Sequence, residues 1–156
     1  MKHQVGVEYF KFEQDFMEDN IRCIPMVVRF KLDACGIKLK LKEWSKMTLE
    51  EREQLAVLPI DSEMALDIYR IYLKEIIYQH TGEDATLLRV DHVNNRWSLQ
   101  HLPEELTEKL ESTKMSISLD QWGNLSTLQR FALIKLTRSG HENKNFPKAM
   151  REFGLV

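Results

Sequence analysis

The hydrophobic and polar positions of this chain follow one pattern twice. When Pro25 is laid over Pro103, an offset of 78 residues holds without a gap as far as Leu58 and Leu136. Identical residues are Pro25/Pro103, Lys31/Lys109, Leu32/Leu110, Leu41/Leu119, Trp44/Trp122, Arg52/Arg130, Leu55/Leu133 and Leu58/Leu136, with similar pairs such as Thr48/Ser126 and Glu51/Gln129 between them. Tryptophan is rare, so the aligned indoles weigh most. Each block opens with a proline, which is tolerated in a first helical turn because its missing N–H would have no partner there. In the first block Val28, Leu32 and Cys35 share one helical face, and Gly36 supplies a left-handed C-terminal cap. Residues 37–41 and 115–119 alternate for five residues, short enough to read as extended connectors that drop alternate side chains into a core. Two capping boxes follow, Thr48-Leu49-Glu50-Glu51 and Ser126-Thr127-Leu128-Gln129, and start a helix in each block.

Outside the blocks, Asp61 or Ser62 opens the longest predicted helix, which runs to about His80 and is closed by Gly82. Its polar stripe, Glu63, Asp67, Arg70 and Lys74, is narrow, and so wide an apolar arc suits a central helix. Asn145-Phe146-Pro147 opens a short helix bearing Met150 and Phe153. The resulting expectation is an all-α single domain of two quasi-repeated multi-helix units around a long central helix, with at most short extended connectors. Its parts are an N-terminal arm (1–22), which packs through Tyr9, Phe10, Phe12, Phe16 and Met17, a first repeat (25–58), the central helix (61–81), a connector (83–101), a second repeat (103–136) and a C-terminal helix (145–153).

Composition agrees. A chain of 156 residues with 43% hydrophobic and 29% charged residues can bury one core, and six glycines with four prolines are few for an all-β fold. No window approaches the roughly 20 apolar residues of a membrane-spanning helix, and Met1-Lys2-His3-Gln4 leads into no apolar signal segment, so a cytoplasmic protein is expected. A net charge of −2 gives no overall bias toward nucleic acid or membrane. Cys23 and Cys35 form no Cys-x-x-Cys pair, and packing is the favoured role for both. The five histidines are scattered, no glycine-rich phosphate loop occurs, and acids such as Glu50-Glu51 and Glu104-Glu105 sit where helix N-termini favour negative charge. No metal site, cofactor or catalytic residue is therefore assigned, and an enzyme ranks behind binding functions.

The richest polar stretch is Arg138-Ser139-Gly140-His141-Glu142-Asn143-Lys144-Asn145, between two predicted helices and beside Arg130, Lys135, Lys148 and Arg151. Arg130, Arg138, His141, Glu142, Asn143, Lys144, Asn145 and Lys148 are the candidate binding residues, since clustered cations beside a helix start can hold an anion or an acidic partner segment. The competing structural role for the same stretch is a loop whose Asn and His side chains cap helix ends. Trp44/Trp122 and Arg52/Arg130 read as packing anchors, each arginine stacked on an indole.

Several stretches resemble the nitrate reductase-associated protein family. They are Phe12-Glu13-x-Asp15-Phe16, Arg22-Cys23-Ile24-Pro25-Met26, Arg29-x-Lys31-Leu32-Asp33-x-Cys35-Gly36-Ile37-Lys38-Leu39 leading to Trp44, Leu128-Gln129-Arg130-Phe131-Ala132-Leu133, and Gly140-His141-Glu142-Asn143-x-Asn145-Phe146. The resemblance covers nearly the whole chain and implies genomic company with nitrate assimilation and molybdenum-cofactor synthesis, but no catalytic residue. The functional expectation is a non-catalytic accessory or adaptor protein of nitrate assimilation whose partner is a nitrate-pathway protein, acting through the basic polar surface near the C-terminus. The alternative is a protein that binds or senses a small ligand, an oxyanion or a molybdenum-cofactor-like phosphate. Neither nucleic acid nor membrane is an expected partner, and a homo-oligomer is compatible with the sequence.

Overall fold

The computed structural model describes residues 8–14, 17, 20–88, 100–138 and 144–156. Helix dominates, and the chain divides into two compact units, Met1–Asn95 and Arg96–Val156. The first unit contains α1 (Lys11–Gln14), α2 (Met26–Cys35), β1 (Ile37–Lys38), α3 (Leu41–Ser45), α4 (Leu49–Val57), α5 (Glu63–Thr81) and β2 (Thr86–Leu87). The second contains α6 (Glu104–Ser112), α7 (Leu119–Asn124), α8 (Thr127–Leu136) and α9 (Phe146–Glu152). Of the predicted connector, residues 89–99 lie outside the described residues.

In the first unit α2 packs against α4 and α5, and α3 also meets α5. Val28, Leu32 and Cys35 enter a core shared with Trp44, Leu55, Tyr69, Leu73 and Ile77. Gly36, at φ 75°, ends α2 in the left-handed conformation and returns its N–H to Leu32 O at 2.9 Å. The alternating stretch after Gly36 does make a strand, though of two residues only: Ile37 pairs with Leu87 and Lys38 with Thr86, antiparallel. The half-buried Lys31 Nζ donates to Ala56 O at 2.7 Å and Leu58 O at 2.6 Å, closing the C-terminal end of α4, and burial holds its pKa below the usual lysine value.

The described residues of the N-terminal arm contribute to this core, while Phe16 lies outside the described residues. Tyr9, Met17 and Ile21 are buried in it, and the buried Glu13 carboxylate accepts from Phe10 N at 3.0 Å and Met26 N at 2.9 Å, which ties the arm to the first turn of α2. Trp44 Nε1 donates to Ile21 O at 3.0 Å and Arg22 O at 3.1 Å. Arg52 lies over the Trp44 ring, 5.5 Å from its centroid, and its guanidinium donates to the carbonyls of Asn20, Ile21, Trp44 and Ser45. Ile21 is held at φ 54°, a conformation costly for a β-branched residue by roughly 1–3 kcal/mol. Its buried side chain and its carbonyl, gripped by both Trp44 and Arg52, keep it there.

In the second unit α8 packs against α6 and α9. Leu106, Leu110, Trp122, Phe131, Leu133 and Leu136 are buried, together with Phe146 and Met150 of α9. Each helix of the first block has a counterpart 78 residues on: the starts of α2, α3 and α4 at residues 26, 41 and 49 become those of α6, α7 and α8 at 104, 119 and 127. Thr48 and Ser126 both close reciprocal capping boxes, with Glu51 and Gln129 respectively.

Helix α5 is capped at its start by Ser62, whose hydroxyl accepts from Ala65 N at 3.0 Å, and ended by Gly82 at φ 71°. Tyr69, Leu73, Ile76 and Ile77 form its buried face. Met64, Ile68, Ile71 and Tyr78, on the opposite face, are exposed, so the apolar arc is wider than the core uses.

Candidate functional site

The basic stretch near the C-terminus is built on α8 and α9. Helix α9 is amphipathic over a short length: Phe146, Ala149 and Met150, at i, i+3 and i+4, are buried, which fixes the helix against its unit. Lys144, in the turn that leads into α9, and Lys148 and Arg151 follow at i, i+4 and i+7 and are all exposed. Burial of the first set therefore turns Lys148 and Arg151 outward, with Glu152 exposed beside them, while Lys144 is exposed in the turn before the helix. Arg138, just past the end of α8, is exposed as well. Lys109 and Lys135 lie closer in, their ammonium groups 5.8 Å from the Phe146 centroid and 5.2 Å from the Phe131 centroid.

The predicted residues separate into three groups. Arg138, Lys144 and Lys148 present their side chains to solvent. Arg130 is half-buried, and its Nη1 donates to Trp122 O at 3.2 Å, Gly123 O at 3.4 Å and Leu125 O at 2.6 Å, where it satisfies the C-terminal carbonyls of α7. Asn145 is half-buried at the N-cap of α9 and makes no side-chain capping bond. His141, Glu142 and Asn143 lie outside the described residues. Of the predicted residues, Arg138, Lys144 and Lys148 are thus the exposed ones among the described residues, and Arg151 of α9 is exposed beside Lys148.

Other groups serve packing. Cys35 is buried, with its Sγ 3.5 Å from Leu32 O, and burial pushes the thiol pKa up, away from the reactive thiolate. Cys23 is half-buried. Among the described residues, no group of three or more His, Cys, Asp or Glu side chains is placed to hold a metal ion, and no helix is long and apolar enough to cross a membrane.

Sequence reasoning missed one ionisable pair. His80 Nε2 lies 2.8 Å from Glu51 Oε1, the same oxygen that accepts from Thr48 N at 2.9 Å. Burial works to raise the Glu51 pKa, but the Thr48 amide and His80 together outweigh it and hold the carboxyl below its ordinary value. Nothing in the local pattern pairs residues 29 positions apart; Glu51 is legible as a cap and His80 only as a residue near the end of α5.

Compared with known proteins, residues 9–153 match the model of a family described as conserved nitrate reductase-associated protein. No curated protein and no solved structure matches the chain.

Proposed function

Because the chain belongs to the conserved nitrate reductase-associated protein family, we propose that it is a cytoplasmic accessory or adaptor protein of nitrate assimilation, without catalysis of its own, that engages an acidic surface of its partner through the cationic face of α9. The observation that carries this reading is the exposed set Lys144, Lys148 and Arg151, three cations against the one exposed carboxylate of Glu152, with Arg138 exposed at the end of α8. Exposed cations of this kind steer association and fix orientation more than they add affinity, and their effect is screened within about 10 Å at 0.1 M salt. The nitrate-pathway partner comes from the family's description, and the mode of contact comes from the charge. We read the 25–58 and 103–136 blocks as copies of one helical unit, of which the second carries the interaction surface by virtue of the appended α9.

Titrating the chain against nitrate reductase by biolayer interferometry tests this reading. Binding should weaken steeply between about 50 and 300 mM salt, and Lys144→Glu/Lys148→Glu/Arg151→Glu should weaken it by about tenfold or more. Equal binding by the triple variant would reject the α9 face, and absence of binding by the unaltered chain would reject the association.

A further inference from the structure

The outer face of α5 carries Met64, Ile68, Ile71 and Tyr78 at 74, 53, 64 and 58% exposure, although the opposite face already supplies the helix's share of the core. With Glu75 they fall at successive spacings of four, three, four and three, the seam spacing of paired helices, and extend over about 21 Å of helix. Met64, Ile68 and Ile71 are consecutive on this face, with Tyr78 beyond Glu75, and so much exposed apolar surface on one side of a helix is unusual where it meets only water.

We propose that this face is the seam of a homodimer in which two copies of the chain pair antiparallel through α5 across a twofold axis. The charges on the flank of the stripe identify the occupant. Asp67 and Lys74 stand one heptad apart on the same flank, with opposite signs. When Ile68 of one copy faces Ile71 of the other, Asp67 of each copy comes opposite Lys74 of the other, twice by symmetry, and Tyr72 lies across from Ala65. Sliding the copies by one heptad would set Lys74 against Lys74, and a parallel pair would set Glu75 against Glu75 in the seam, so charge selects the antiparallel register. In that register Glu75 falls opposite Met64 at the two ends, where its carboxylate reaches water. Arg70 Nη1 binds Asp67 Oδ1 at 2.7 Å from within the same helix, but the Asp67 side chain stays 67% exposed and open to a second cation. One short helix pair covers less than the ~800 Å2 per partner of a standard interface, so the dimer is weak and depends on concentration.

Sedimentation velocity on the intact chain from about 1 to 300 μM tests the pairing. The mass should rise from one chain toward two, Ile71→Glu should hold it at one chain with an unchanged far-ultraviolet circular dichroism spectrum, and Asp67→Lys should weaken association about tenfold. The charge exchange Asp67→Lys/Lys74→Asp should restore it. A single-chain mass throughout, a dimer that survives Ile71→Glu, or a charge exchange that recovers nothing would overturn the proposal. The α9 triple variant should dimerise like the unaltered chain, which separates failure here from failure of the α9 surface.

Discussion

In both blocks the arginine bonds carbonyls at the end of the preceding short helix, Arg52 those of Trp44 and Ser45 and Arg130 those of Trp122, Gly123 and Leu125, but in the first block the Trp44 N–H and the Arg52 guanidinium also reach carbonyls of residues 20–22. Lys31 closes the end of α4, while Lys109, at the matching position, lies over Phe146 of α9. The left-handed residue after the first helix is Gly36 in one block and Lys114, at φ 57°, in the other. The cap partner is Glu51 in one and Gln129 in the other. The comparison separates what the helices need for themselves from what their surroundings add. Buried indoles, caps, chain reversals and the arginine bonds to the preceding helix end recur, while the segment added to each block is met by further polar side chains, the N-terminal arm by Trp44 and Arg52 and α9 by Lys109.

The strongest way to break the comparison is through the arginines. Arg52→Met should cost about 2–4 kcal/mol in urea unfolding, because it strands carbonyls of the arm and of α3 inside the core, whereas Arg130→Met, at a half-exposed site, should cost about 1 kcal/mol. Equal losses would mean that the arm is not what distinguishes the blocks. A smaller effect comes from exchanging the cap residues. Nothing lies within 4 Å of a Cβ built on Gly36, so Gly36→Ala should cost only the left-handed backbone penalty, about 1 kcal/mol. Lys114→Gly, by relieving the same conformation, should raise the thermal midpoint by an amount equivalent to about 0.5–1 kcal/mol.

The smallest expected effect depends on pH. The folded-state pKa of Glu51 lies below its ordinary value of 4.5, so its stabilising contribution is present above that value and is lost as the pH falls through the lowered folded pKa. Urea midpoints of the unaltered chain and of Glu51→Gln, which reproduces the neutral cap of the second block, should therefore converge as the pH is lowered from about 6 to about 3. A constant difference over that range would show that the Glu51 charge contributes nothing to stability.

Much of this was legible in the chain. Pro25 and Pro103, the boxes at Thr48 and Ser126, and Gly36 and Gly82 mark helix boundaries through backbone hydrogen bonding that the nearest few residues decide. The alternating residues 37–41 were harder, because pairing needed a second strand: Ile37–Lys38 found Thr86–Leu87, and the corresponding residues 115–118 form no strand among the described residues. The sequence shows the candidate residues as a run of basic and polar side chains. It does not show how they divide, since Arg130 and Arg138 look alike in sequence and differ in whether a row of carbonyls stands within reach.

By itself the sequence determined where helices begin and end and which face of each is apolar, because capping and periodicity act within one or two turns. Tertiary structure decided which polar side chains became internal fasteners, which cations were left to solvent, and that α5 would keep a second apolar face uncovered. Those outcomes depend on what a neighbouring segment brings within hydrogen-bonding or van der Waals distance, and residues such as Glu51 and His80, or Arg52 and Asn20, meet only when the chain folds back on itself.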